Sequence, residues 1–111
     1  MVVALNRRLV LENAVRASDG AGGFVQTWQT LGTLWAQIDA GTGSEGAGQF
    51  GTVSAVPYRI VLRAAPVSSP ARPRPDQRLR EGPRVFRILA VTEWDRAGLY
   101  LMCFAREEVL S

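Results

Sequence analysis

Few groups in this sequence are able to do chemistry. There is one cysteine, Cys103, two tyrosines, ten carboxylates, thirteen arginines, and neither histidine nor lysine. Without histidine there is no imidazole base, no Ser–His triad and no His-containing zinc site. Without lysine there is no Schiff base and no phosphate-binding P-loop lysine. A single cysteine makes neither an intrachain disulfide nor a multi-cysteine metal site. The four Asp and six Glu are scattered, with only Glu107 and Glu108 adjacent, so no paired-carboxylate site is indicated. Cys103 lies between Leu101 and Ala105 on one strand face, with no base at hand to lower its pKa. It is expected to be buried and inert. The chain is therefore expected not to be an enzyme and to need no cofactor or metal.

The remaining chemistry is that of guanidinium groups. The net charge of +3 is mild compared with dedicated DNA-binding domains. Alternation along the chain turns Arg59, Arg63, Arg78 and Arg80 outward, on strands expected to be adjacent. Three readings are open: phosphate contact, since arginine binds phosphate bidentately; ion pairing with a neighbouring subunit; or a solvated face. Trp28, Trp35 and Trp94 suit core or rim packing. Trp35 opposes the core face of its strand and is the best interface anchor of the three.

These residues must be positioned by strands, because the dominant period is two, punctuated by glycine and proline. The length of 111 residues indicates one domain, residues 1–111. The first strand runs from Arg8 to Ala17 and the second from Phe24 to about Asp39, joined by an Asp-Gly turn. Gly32, in the second strand, suits a bulge or bend. From Gly41 to Gly51 five of eleven residues are glycine. Residues 41–56 are expected to form a long mobile loop, because such a stretch buries too little apolar area to offset its ordering entropy. Pro57–Ala65 is a third strand. Residues 66–75 hold four of the six prolines and are expected to be an extended, semi-rigid connector. Further strands are expected over Asp76–Glu81, Arg84–Trp94 and Leu99–Arg106, with Phe86, Ile88 and Ala90 inward and Glu107-Glu108 at a solvated end. In the last strand both faces are apolar: Leu99, Leu101 and Cys103 on one, Tyr100, Met102 and Phe104 on the other. A covered outer face is the expectation, by a loop or a neighbouring subunit. The fold class is all-β, a small six-stranded barrel or sandwich, since closure removes exposed edges.

No segment approaches the ~20 apolar residues of a membrane helix, and Arg7-Arg8 follows rather than precedes the apolar start. The expectation is a chain that stays in the reducing compartment where it is made, with no membrane partner.

The order of features resembles a known family. An Asp19-Gly20 turn with Gly22-Gly23 leads to Trp28 and then Trp35-Ala36. Gly43-Ser44-Glu45 follows, then Tyr58-Arg59-Ile60 with Leu62-Arg63. Asp76 precedes Arg78, then comes Gly82-x-Arg84-x-Phe86-x-Ile88-x-x-Val91, and Leu99, Leu101 and Cys103 end the series. This is similar to the head-tail joining (connector or stopper) proteins of long-tailed phages and of phage-derived gene transfer agents. The resemblance spans about Arg8 to Glu107.

The resemblance implies a virion structural component assembled in the host bacterial cytoplasm. It implies a homo-oligomeric ring, hexameric in the family, lying between the portal or its adaptor and the tail terminator or tail tube protein. Packaged DNA passes through the channel. The loop is implied to face that channel, through Gly41, Gly43, Ser44, Glu45, Gly46, Gly48, Phe50 and Gly51. The chain departs from the family in a more glycine-rich loop and a longer proline segment. Expected subunit-interface residues are Trp35, Arg59, Arg63, Arg78, Arg80, Tyr100, Met102 and Phe104. The rival reading is a small β-barrel nucleic-acid-binding module. It would require aromatics interleaved with basic residues on one face, which the arginine-bearing strands lack.

Overall fold

The structure, a computed structural model, describes residues 3–41 and 56–108. These residues form six antiparallel strands: β1 (Arg7–Ser18), β2 (Phe24–Ala40), β3 (Pro57–Arg63), β4 (Arg78–Glu81), β5 (Arg84–Glu93) and β6 (Tyr100–Glu108). They close in the order β1-β2-β3-β6-β5-β4, with β4 pairing back onto β1. The sequence-based expectation of a small six-stranded barrel holds.

Turn chemistry sets the hairpins. The β1–β2 turn is built on Asp19, whose Oδ1 accepts from the amides of Ala21 and Gly23. Gly20 and Gly22 take positive φ there, which costs a glycine little because it has no Cβ. Between β5 and β6, Asp95 Oδ1 accepts from the amides of Leu99 and Tyr100.

The lumen is filled. Leu9, Leu11, Ala36, Ile60, Leu62, Leu79, Phe86, Ile88, Leu101, Cys103 and Ala105 form one buried cluster. Phe86 is its largest member, and Tyr58 packs edge-on against it, with ring centroids 5.1 Å apart. Every buried side-chain nitrogen and oxygen among the described residues has a hydrogen-bond partner.

Two bulges adjust the phase. In β2, Leu11 pairs with Gly32 and Glu12 with Thr30, so Leu31 is the extra residue. It packs against the core. In β5, Leu89 is extra between Ile88 and Ala90. This bulge corrects one expectation: Ala90 and Leu89 are exposed, and Val91 turns to the core instead. Leu99 likewise lies just before β6 and is 59% exposed rather than inward.

The proline segment also differs from expectation. It folds into consecutive turns, Ser69 N–H donating to Pro66 and Arg72 N–H to Ser69. Arg72 and Arg74 guanidiniums donate to the carbonyls of Ala65 and Val67 and hold the turns closed, and Pro73 is buried. An extended conformation would leave those donors and Pro73 in water.

Antiparallel connectivity gives the barrel two unlike ends. Residues Ala40 and Pro57, on either side of residues 42–55, share one end with Arg7, Glu81, Arg84 and Glu108. At the other end β1 and β2 run on past their neighbours. β4 meets β1 only over Val10–Glu12, so Asn13–Ser18 and Phe24–Gln29 pair only with each other. Six residue pairs make a projecting two-stranded arm of ~20 Å at ~3.4 Å per residue.

Because Phe86 fills the centre of a side-chain-packed lumen, Phe86→Ala is expected to cost ~3–5 kcal/mol. Urea unfolding of the full chain reads this out as a lowered midpoint with an unchanged slope.

Candidate functional site

The surface chemistry is dominated by arginine–carboxylate pairs made within the chain. At the end shared by Ala40 and Pro57, Arg7 makes a two-toothed contact with Glu81 across β1 and β4. Arg84 does the same with Glu107 across β5 and β6, at 2.9 and 3.1 Å, and also reaches the Tyr58 hydroxyl. Arg84 sits 3.8 Å from Glu81 and joins the two pairs. The Arg7 and Arg84 guanidiniums hold the Glu81 and Glu107 carboxyls below the ordinary carboxylate value. Arg87 lies 3.6 Å from Glu108. The expectation of a solvated Glu107-Glu108 end is therefore corrected: both lie in β6 and close the β5–β6 seam.

At the base of the arm a second cluster forms on the outer face. Glu12 is only 5% exposed. Arg78 Nε donates to Glu12 Oε1 at 2.6 Å and Arg80 Nε to Oε2 at 3.2 Å. Trp28 covers the cluster, with the Arg78 guanidinium 4.0 Å and that of Arg87 5.7 Å from the ring centroid. This fork of two guanidiniums on one carboxylate fixes β4 to β1 where the arm leaves the barrel.

The arm tip carries the opposite kind of surface. Phe24 is 65% and Val25 49% exposed. Arg16 lies 4.5 Å over the Phe24 ring. The amides of Ala21 and Gly23 hold the Asp19 carboxyl below its ordinary value, so Asp19 is ionised at neutral pH and the tip carries one carboxylate beside the Arg16 guanidinium.

Beside the arm's base is an apolar groove of 310 Å³, lined among others by Leu5, Gly32, Leu34, Trp35, Arg63 and Ala65. Trp35 is 55% exposed. Arg8 stands opposite Trp35 in the β1–β2 register.

The expected interface residues divide accordingly. Trp35 and Arg63 are exposed and meet at the groove. Arg59 is exposed, and Phe104 is 39% exposed. Tyr100 and Met102 are half-buried, with the Tyr100 ring edge-on to Trp94 at 5.8 Å. Arg78 and Arg80 require a correction. β3 and β4 are not adjacent but lie across the barrel from each other, with two strands between them either way. The four arginines do not form one patch, and Arg78 and Arg80 are held by Glu12. Of the expected loop residues, Gly41 is described, its amide donating to Pro57 at 2.7 Å. Gly43, Ser44, Glu45, Gly46, Gly48, Phe50 and Gly51 lie outside the described residues. The Glu12 clamp and the projecting arm escaped sequence reasoning. The one available signal was an acidic residue on an otherwise outward face of β1, opposite an Arg-x-Arg strand.

Cys103 is fully buried, and burial pushes its thiol up to about 12. That is the environment of a packing residue, not of a nucleophile.

The barrel is thus filled, five of its arginines are paired on-chain, and apolar side chains turn out at the arm and the groove. The model of the phage head completion protein family matches residues 2–108, and the chain belongs to that family. It is similar to a chain of the solved virion of a native gene transfer agent particle, with 62% identity over 97% of this chain and 98% of that one and a TM-score of 0.80. It also shares its fold with protein SF1141 from Shigella flexneri 2a, known in solution, with 23% identity over 93% and 92% of the two chains and a TM-score of 0.66. Comparison with curated proteins finds no match.

Replacing Glu12 by Gln leaves two guanidiniums facing a neutral amide. The change is expected to cost ~2–3 kcal/mol, at or just below the ~3–5 kcal/mol for breaking a fully buried pair, because the arginines are partly exposed. Thermal melting of Glu12→Gln beside Arg80→Gln, which keeps one pair, checks the ranking.

Because the Glu81 and Glu107 carboxyls are lowered in the folded state, their contribution is complete above the ordinary value of 4.5 and is lost as pH falls below it. Stability is expected to drop on acidification through that window, and less steeply in Glu81→Gln/Glu107→Gln. Unfolding midpoints measured from pH 7 to pH 3 give the slopes.

Proposed function

We propose that this chain is a structural virion component that completes the DNA-filled head and joins it to the tail. Copies form a ring beneath the portal or its adaptor, retain the packaged DNA and present the surface on which the tail docks. The family match over residues 2–108 carries this reading, and the similarity to a chain of a gene transfer agent virion supports the kind of particle. The chain acts as one domain, and its work is assembly.

A physical argument supports the ring. The lumen is packed by Phe86, Leu9, Leu79 and their neighbours, so DNA does not thread a single barrel. A passage bounded by this protein must lie between copies, and several identical copies around one axis are the economical solution. The nucleic-acid-binding alternative loses support from the ion pairs. Arg7, Arg78, Arg80, Arg84 and Arg87 all face carboxylates of the same chain. Trp28 is covered by Arg78 and Arg87 rather than open for a base.

Particles produced without this chain are expected to package DNA, then lose it, and to lack tails. Nuclease protection together with electron microscopy of purified particles measures both. Tailed, DNA-filled particles at normal yield would contradict the proposal.

A further inference from the structure

Two apolar features of the described surface are complementary and cannot meet within one chain. The arm tip carries Phe24 and Val25 on its two opposite faces, since neighbouring residues of a strand point to opposite sides. An arm that lay flat on a partner would need one apolar face. Apolar residues on both faces suit insertion between two walls. The groove is lined by apolar side chains from separate segments of the chain, Leu5, Leu34, Trp35 and Ala65 among them.

Charge agrees with shape. Arg63 lines the groove and Arg8 stands beside Trp35; neither has an ion-pair partner among the described residues. At the tip, Asp19 uses Oδ1 for both turn amides, and Oδ2 takes part in neither bond. Gly32 sits at the groove with open space where a Cβ would point. It also lies at the base of the same hairpin, eight residues from Phe24 and so ~26 Å away at ~3.3 Å per residue. The paired arm cannot bend back onto its own base.

We propose that the arm tip of one copy inserts into the Trp35 groove of the next, with Asp19 meeting the arginine rim and Phe24 and Val25 meeting Trp35 and Leu34. This contact rests on the ring reading above and names its surfaces. Arm and groove are different patches, so the interface is head-to-tail and closes into a ring when the rotation per copy allows it. The Glu12–Arg78–Arg80 cluster at the arm's root fixes the angle at which the arm leaves the barrel, and with it that rotation.

Cysteine cross-linking of the full chain in assembled particles tests this. The native Cys103 is buried. Val25→Cys/Thr33→Cys places one thiol on the arm and one at the groove, too far apart on one strand to bridge within a chain. Oxidation is expected to give a ladder of covalent multimers, and each single variant none. Adding Gly32→Val, whose Cβ meets no atom within 4 Å, is expected to cut the ladder at least tenfold while the melting temperature is maintained. Dimers from Val25→Cys alone would mean that arms meet arms and would overturn the proposal. No ladder in particles that hold DNA and carry tails would overturn the contact and leave the head-completion reading standing. Absence of the chain from particles would overturn both.

Discussion

Everything outside this barrel follows from how its inside is filled. Six strands close around Phe86, Leu9, Leu11, Ile60, Leu62, Leu79, Ile88 and Leu101. At that size side chains from all strands meet in the middle and leave no channel. Closure also pairs each strand on both sides over part of its length, so the long open edges are confined to the strands that run past their neighbours. A protein built this way recognises partners only through outward side chains and through whatever projects from its ends. The projecting arm, the Trp35 groove and the apolar outer face of β6 are the means left to it.

Arginine suits such a protein. With no lysine and no histidine, all its positive charge sits on planar groups that bind carboxylates with two teeth. Arg7 with Glu81 ties the short strand β4 to β1, Arg84 with Glu81 ties it to β5, and Arg84 with Glu107 ties β5 to β6. Arg78 and Arg80 grip Glu12 from one side of β1. These pairs bridge strands far apart in sequence, so they define register where β4, four residues long, has little backbone pairing of its own. Arg8 and Arg63, which make no ion pair among the described residues, stand beside the exposed Trp35.

Local structure was legible in the sequence, and closure was not. Asp19 with its glycines, Gly82-Pro83 and Asp95 with Gly98 mark turns through φ and side-chain capping, and each turn forms as its chemistry requires. Gly32 marked the irregularity of β2 to within one residue. The β5 bulge left no such mark, because Leu89 is an ordinary strand residue. The bulge reversed the phase and moved Val91 into the core in place of Ala90. Alternation also assigns a face without assigning a neighbour. Arg59 and Arg63 share a face with Arg78 and Arg80, yet the order in which the ring closes puts them on opposite sides. For the same reason Glu107 read as a free end although Arg84 lay 23 residues back in the chain. The arm's projection was hidden because it depends on where β4 stops, not on anything within β1 or β2.

The most direct test of the account is a cryo-electron microscopy map of the head–tail joint at side-chain resolution. The account predicts several copies of the closed barrel around an open axis, each lumen filled and each arm seated on its neighbour's Trp35 face. DNA density inside a single barrel, or copies bound singly without touching one another, would contradict it.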